Sequence, residues 1–206
     1  GTKASSLVIG TIAVSIVLAF FVPSSTARAG TLVPILLGIV AALSMAKNSK
    51  LSALLMITAV QSISIWNVGI KTAAAQNMVA LGFMGEAFGF DITWGKWFIY
   101  AAPWSILMSV VLYFVMTRLI KPEMDDLKDS KALIKSQLKD LGKMSKKELK
   151  LIVISLLLLF AWATEGMLHP FDSTSVTFIA VAIMLLPGIG VYTWKEVERK
   201  IPWGTL

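Results

Sequence analysis

Two short polar segments interrupt the apolar stretches of this chain, and the first has residue types that suit anion binding. Residues 23–30 read Pro-Ser-Ser-Thr-Ala-Arg-Ala-Gly, with three hydroxyl groups on Ser24, Ser25 and Thr26 and the guanidinium of Arg28. The residues that follow suit a helix, whose free amides and positive dipole end would face this tip. Such a combination binds a carboxylate or another oxyanion. An ordinary capped turn explains the same residues equally well, because Ser and Thr are common helix caps.

The second polar segment, residues 67–77, lies about halfway along the stretch 51–88 and contains Lys71, Thr72 and Asn77. At about 1.5 Å per residue, a straight helix over that whole stretch would be much longer than a membrane is thick. We therefore expect the helix to break here. Lys71 would then lie within the membrane, where an ionisable side chain usually marks a functional site. The alternative is that this region lies outside the membrane and Lys71 is solvated.

The sequence lacks the groups that most enzymes and metal sites require. It contains no cysteine and one histidine, His169. Disulfides and thiolate metal sites are therefore impossible within these residues, and a serine–histidine pair for nucleophilic catalysis is not expected. A phosphate-binding run of the type Gly-x-x-x-x-Gly-Lys-Ser/Thr is missing, which argues against ATP-driven transport by this chain. We expect neither an enzyme nor a bound cofactor or metal.

Composition identifies lipid as the solvent of this chain. Its 206 residues are 56% hydrophobic and 15% charged, whereas a soluble domain is about 45–50% apolar and about 25% charged. Charged residues are absent from five long stretches: 4–27, 29–46, 51–70, 97–117 and 173–194. A helix needs about 20 apolar residues to cross the hydrocarbon layer. A shorter apolar run, 151–164, follows a predicted capping box of Ser145 and Glu148. We predict an all-α polytopic protein of the cell membrane.

Basic residues predict the orientation of the chain in the membrane. They gather at Lys47 and Lys50, over residues 118–150 and over residues 195–200, and the positive-inside rule assigns these clusters to the cytoplasm. Four acidic residues fall in the segments between them: Glu86, Asp91, Glu165 and Asp172. The same rule accounts for the net charge of +7 without a nucleic-acid partner.

Two segments can be placed in the membrane in more than one way. Residues 4–46 contain two apolar helices on either side of the tip, and either two full spans or a re-entrant hairpin would return the chain to the cytoplasm. We expect the re-entrant hairpin. Residues 121–144 combine one apolar face with a face rich in Lys and Asp, a pattern typical of a helix that lies on the membrane surface. A cytoplasmic arm packed on a partner is the alternative.

Three segments resemble the divalent anion/sodium symporter family. The tip 23–30 is similar to the hairpin-tip signature of that family, whose usual form is Ser-Asn-Thr, and residues 72–77 sit where the family has an unwound loop ending in Asn. The run 200–206, Lys-Ile-Pro-Trp-Gly-Thr-Leu, resembles the helix start that opens the family's second repeat core. The order of hairpin, broken helix, helix, surface helix and two helices also matches, so the resemblance covers essentially the whole chain.

The resemblance implies a partial segment of a longer carrier, a dimeric elevator-type transporter built from two inverted repeats. The organisation it predicts has three parts: residues 1–120 as the end of the first repeat (hairpin 4–46, broken helix 51–88, helix 97–118), residues 121–144 as the cytoplasmic interfacial helix, and residues 145–206 as the start of the second repeat (helices 146–165 and 173–194). The implied substrates are dicarboxylates of four or five carbons, such as succinate, malate and 2-oxoglutarate.

The resemblance also assigns substrate-binding residues, which would hold the dicarboxylate from one side: Ser24, Ser25, Thr26, Thr72 and Asn77. Ser25 stands where the family has a sodium-coordinating Asn, which argues against a sodium site and favours antiport. A fixed cation, Lys71 or Arg28, would then compensate the charge of the substrate. A sodium-coupled di- or tricarboxylate symporter is the first alternative. A non-transporting membrane scaffold is the second.

Overall fold

A computed structural model of the chain describes residues 3–43, 45–89, 91–123, 142–199 and 201, and every regular element in those ranges is a helix. The elements follow in chain order: α1 (Ala4–Phe21), α2 (Ser25–Ala42), α3 (Lys50–Gly69), a 3-10 turn (Lys71–Ala73), α4 (Ala75–Phe88), α5 (Trp94–Leu119), α6 (Lys146–Ala163), α7 (Ser173–Leu185) and α8 (Trp194–Glu198). By length and composition α1, α2, α3 and α5 can each cross a membrane. The prediction of an all-α polytopic membrane protein is confirmed.

The chain divides into two compact units, residues 1–92 with 96–142 and residues 93–95 with 143–206. In the first unit, α1 and α2 both pack on α3. Leu32 of α2 and Leu55 of α3 lie in one buried cluster. Val8 of α1 and Leu54 of α3 join Leu112 of α5 in a second cluster. Close packing of this kind stabilises helix contacts in lipid, where burial from water contributes little.

Small and polar residues bring α3 and α5 into close contact. A Cβ atom on Gly69 would lie 2.7 Å from the Oγ of Ser105, so only glycine permits this approach. Ser105 Oγ donates to the carbonyl of Ile65 at 2.9 Å, and Trp66 Nε1 donates to Ser109 Oγ at 2.9 Å. These contacts fix the C-terminal end of α3, which carries part of the candidate site.

The helix break predicted within residues 67–77 is confirmed. The 3-10 turn separates α3 from α4, and Ile70 and Ala74, on either side of the turn, have extended backbone. The break leaves carbonyl groups that helical bonding no longer satisfies. Several of them accept hydrogen bonds from the side chain of Asn77. The depth of the break in the membrane stays a prediction.

The second arm of the hairpin begins earlier than the sequence predicted. We expected residues 23–30 to form a polar tip before a helix at Thr31, but α2 begins at Ser25. Ser24 explains the early start, because its Oγ accepts a hydrogen bond from the backbone N–H of Ala27 at 3.3 Å and so caps the helix. Most of the predicted tip is therefore the first part of α2.

In the second unit, the capping box predicted at Ser145 and Glu148 is present at the start of α6. A buried carboxylate, Glu165, accepts hydrogen bonds from the backbone N–H groups of Trp94 at 2.6 Å and Ser173 at 3.0 Å. One acidic side chain thus satisfies the first amides of both α5 and α7, where the helix dipole favours negative charge. Asp172 also caps α7.

The helix predicted over residues 173–194 is shorter than expected, because α7 ends at Leu185. Leu186 has extended backbone, as the residue before a proline prefers, and Gly188 has a φ of 80°.

The surface helix predicted at 121–144 falls mostly on residues 124–141, which lie outside the described residues, and it stays a prediction. Residues 202–206 lie outside them too.

Candidate anion site at the hairpin tip and helix break

The guanidinium of Arg28 joins the hairpin tip to the interrupted helix. The residue is 0% exposed. Its Nη2 donates to the carbonyl of Ala73 at 2.9 Å and to the Oδ1 of Asn67, and its Nε donates to the carbonyl of Ser24 at 3.4 Å. The tip and the break, which are far apart along the chain, therefore meet in one site.

The positive charge of Arg28 is held by neutral acceptors. Its hydrogen-bond partners in the described part of the chain are two backbone carbonyls and a side-chain amide. The C-terminal end of α3 adds a partial negative charge, which suits a cation. The Nη1 atom is buried and makes no hydrogen bond with any described residue. A buried donor without an acceptor costs about 1–3 kcal/mol, so this corner of the site favours an acceptor or an anion.

Asn67, the last polar side chain of α3, lies between the guanidinium and the hydroxyl of Ser25. Its Oδ1 accepts from Arg28, and its Nδ2 donates to Ser25 Oγ at 3.4 Å. Ser25 is half-buried and occupies the first turn of α2. A continuous chain of polar groups therefore leads from the buried cation to a hydroxyl at the N-terminus of a helix.

The side chain of Asn77, in the first turn of α4, stabilises the backbone of the break. Its Nδ2 lies 2.6 Å from the carbonyl oxygen of Asn67, 3.0 Å from that of Ile70 and 3.3 Å from that of Lys71. One amide thus links the end of α3, the 3-10 turn and the first turn of α4. The sequence predicted substrate contact for Asn77. The structure adds a role in maintaining the backbone of the loop.

The remaining predicted residues lie around this same junction. Lys71, in the 3-10 turn, is 6% exposed, and Thr72 beside it is half-buried. Ser24 is half-buried at the cap of α2, whereas Thr26 is exposed in its first turn. The structure therefore brings Ser24, Ser25 and Arg28 together with the turn that carries Lys71 and Thr72.

Asn67 is the polar residue of this site that sequence reasoning did not select. It is the first residue of the polar segment 67–77, directly after Trp66, and a polar side chain at the end of an apolar stretch is the signal that could have selected it. No group of three or more His, Asp or Glu residues within the described ranges could hold a metal ion. The donors gathered here, N–H and O–H groups around a cation, suit a carboxylate.

Comparison with known proteins gives three informative relatives. The chain is 48% identical over 206 residues to a membrane protein of Cupriavidus necator, covering 100% of this chain and 40% of the relative. It is 28% identical to the citrate/succinate antiporter of Escherichia coli K12, and the match covers 100% of this chain and 43% of the relative. It is 27% identical to the sodium-dependent dicarboxylate transporter of Staphylococcus saprophyticus, and the match covers 100% of this chain and 44% of the relative. The chain thus spans about two-fifths of the length of these curated relatives.

The sequence profile described as sodium:sulfate symporter transmembrane region matches residues 1–206. The match extends over the whole chain, through both the tip and the break that carry the candidate site. It confirms the family resemblance and, with the apolar helices, the prediction of a multi-pass protein of the cell membrane. The chain belongs to the sodium:sulfate symporter transmembrane family.

Proposed function

We propose that this chain forms one half of the substrate site of a secondary carrier that exchanges small dicarboxylates of four or five carbons, such as succinate, malate or 2-oxoglutarate. The observation that carries the proposal is the fully buried Arg28, whose guanidinium lies between the hairpin tip and the helix break with neutral partners. The names of its relatives support the substrate class, since they include a citrate/succinate antiporter, a sodium-dependent dicarboxylate transporter and a putative malate transporter.

In this proposal the hydroxyls of the tip and the groups of the adjoining loop contact the substrate: Ser24, Ser25, Thr26, Thr72 and Asn77. A dianion in the membrane needs compensating positive charge, because an isolated charge at depth costs at least a few kcal/mol. Arg28 and Lys71 supply that charge from the protein itself. Both side chains are buried, so solvent screens their charge less than it screens that of an exposed cation.

Fixed cations favour exchange over net uptake. A sodium ion can leave with the substrate, but an arginine or lysine cannot. The empty carrier would have to move its uncompensated cation through the membrane, whereas the loaded carrier is closer to neutral. Movement of the loaded form is therefore faster, and one dicarboxylate leaves for each that enters. The elevator motion and the homodimer that the family resemblance implies complete the proposal.

The test is counterflow of radiolabelled dicarboxylates by the full-length carrier in sodium-free proteoliposomes. We expect exchange without sodium, and we expect Lys71→Ala to lose most of it. Lys47→Ala, a change at an exposed lysine in the loop between α2 and α3, is the matched control and should exchange like the wild type. Full sodium-free activity in Lys71→Ala would contradict the role given to that residue.

Sodium-coupled symport is the second candidate function. The relative named as a sodium-dependent dicarboxylate transporter favours it. The same experiment separates the two candidates, because a symporter requires sodium and catalyses net uptake into liposomes that contain no internal substrate. If no dicarboxylate is moved under either condition, the remaining alternative, a non-transporting scaffold, gains support.

A further inference from the structure

The amide of Asn67 has only one orientation that its neighbours allow. A guanidinium is a donor at every N–H and accepts nothing. The atom of Asn67 that faces Arg28 must therefore be the acceptor Oδ1, as the structure has it. The other end of the amide, the donor Nδ2, then necessarily faces Ser25 Oγ, at 3.4 Å. The buried cation thus fixes which end of Asn67 the hydroxyl of Ser25 meets.

This orientation fixes the role of the Ser25 hydroxyl as well. A lone pair of Ser25 Oγ faces the N–H of Asn67, so the hydroxyl proton points elsewhere. Serine and threonine inside a helix usually donate that proton to the carbonyl four residues earlier, as Thr31 does to Ala27 and Ser64 to Val60. Ser25 begins α2 and so follows no earlier helical turn. No acceptor for its proton is found among the described residues.

We propose that Asn67 is a positioning residue that makes Ser25 a hydrogen-bond donor to a substrate carboxylate. The inference rests on the proposed function and extends it to a residue outside the predicted site. Each group donates a hydrogen bond to the next: Arg28 to Asn67, Asn67 to Ser25, and Ser25 to the carboxylate. We call this series of hydrogen bonds the relay. Each bond polarises the next, so the relay presents part of the buried positive charge at the substrate. The same polarity makes Ser25 a poor ligand for a cation, whose ligands must offer lone pairs.

A double-mutant cycle on the full-length carrier tests the relay through the KM for dicarboxylate exchange. Ser25→Ala removes the donor. Asn67→Asp still accepts from Arg28 but no longer donates, and its carboxylate draws the Ser25 proton away from the substrate. We expect each change to raise KM about tenfold, the factor that corresponds to one hydrogen bond to a charged group, with the maximal rate within about twofold of the wild type. The double variant should be no worse than either single variant.

The contrary outcome is a double variant whose KM is raised about a hundredfold, the product of two independent effects. That result would show that the carboxylate introduced by Asn67→Asp repels the dianion directly and does not act through Ser25, and it would overturn the relay. Ser25→Thr retains the hydroxyl and should restore a KM close to that of the wild type, which a purely steric role for Ser25 does not predict. If Asn67→Asp fails to fold, the isosteric and uncharged Asn67→Leu takes its place in the cycle with the same two outcomes.

Two control variants and the wild type complete the test. Ser64→Ala removes a hydroxyl that bonds only within α3, and Asn48→Asp adds a charge in the exposed loop before α3. Both should leave KM unchanged. Failure of the wild-type carrier to exchange any dicarboxylate overturns the proposed function and the relay together. If the wild-type carrier exchanges dicarboxylates but the effects of Ser25→Ala and Asn67→Asp on KM are independent, the relay alone is overturned.

Discussion

Arg28 has a structural role in addition to the charge compensation proposed for it. Its guanidinium donates to the Oδ1 of the half-buried Asn67 and to the buried carbonyl of Ala73, and its loss would leave both acceptors without this donor. Lysine cannot replace it fully, because a single ammonium on a flexible stem lacks the fork that reaches separate acceptors. The hairpin tip and the helix break are therefore joined by a side chain for which no other residue type is equivalent.

We expect Arg28→Met to destabilise the full-length carrier by on the order of 3 kcal/mol, the sum of two hydrogen bonds to a charged group at about 1.5 kcal/mol each. Arg28→Lys should lose less. Thermal unfolding of the purified carrier in detergent measures both. Arg118→Met, at an exposed position in the last turn of α5, is the control and should shift the unfolding temperature little. An unfolding temperature for Arg28→Met equal to that of the wild type would show that the guanidinium does not hold the two segments together.

The sequence predicted residues on one side of the candidate site and missed a residue on the other. Three hydroxyls and an arginine in a polar segment predict an anion site from their chemistry, and that assignment stays a prediction. Asn67 was not part of that prediction, because its contact with Arg28, which lies 39 residues earlier in the chain, depends on the fold. A single sequence shows the groups that can donate and accept, but only the fold determines which of them meet.

The N-terminus of α3 is capped by a side chain from a distant part of the sequence, the residue Glu123. Glu123, which follows α5, accepts hydrogen bonds from the backbone N–H groups of Lys50 at 2.8 Å and Leu51 at 3.3 Å. The bond from the Lys50 amide is the main reason that the pKa of the Glu123 carboxyl is lowered from its usual range. The N-terminus of α3 is thus satisfied by an anion, as its dipole favours.

This cap predicts a pH-dependent contribution to stability. Because the pKa of Glu123 is lower in the folded state than in the unfolded state, its contribution is present above the ordinary carboxyl value of about 4.3 and disappears as the pH falls through the lowered value. Glu123→Gln should therefore unfold at a lower temperature than the wild type at pH 7. The difference should vanish in acid, where the wild-type carboxyl is also neutral.

The measurement is the unfolding temperature of the wild type and of Glu123→Gln from pH 7 down to acid pH. Glu86→Gln, which changes an exposed carboxylate on α4, serves as the control and should track the wild type throughout. A gap between wild type and Glu123→Gln that persists unchanged below the pKa would mean that the capping charge contributes nothing.

The presence of the helices was predictable from the sequence, whereas some of their ends were not. Apolar length predicted the spans, and the capping box at Ser145 predicted the start of α6. The start of α2 lies earlier than predicted because Ser24 caps the helix directly before Ser25, whereas the prediction kept all of residues 23–30 in the tip. The end of α7 was placed too late because an apolar run continued past Pro187, although a proline and a following glycine commonly end a helix.

For the whole molecule, helix lengths constrain where the site lies in the membrane. At about 1.5 Å per residue, the 18 residues of α2 and the 20 residues of α3 extend about 27 and about 30 Å from the loop that joins them. Arg28 contacts Asn67 and Ala73, so the tip and the break share one depth. Helices upright in a layer of about 30 Å would place the site near its outer boundary. Tilted helices, or a loop that projects into the cytoplasm, would place it deeper.

Accessibility of single cysteines decides between these arrangements, and the 206 residues contain no native cysteine to interfere. In a full-length carrier freed of any other cysteine, we expect Asn48→Cys to react with a bulky impermeant maleimide from the cytoplasmic side only, because Lys47 and Lys50 flank it. Asp91→Cys, beyond α4, should react from the outside only. Ser25→Cys should be protected from the outside in at least one condition, with saturating dicarboxylate or without it. Rapid outside labelling of Ser25→Cys under both conditions would make residues 23–30 an ordinary external turn and α1 and α2 two full spans, and the re-entrant hairpin would be wrong.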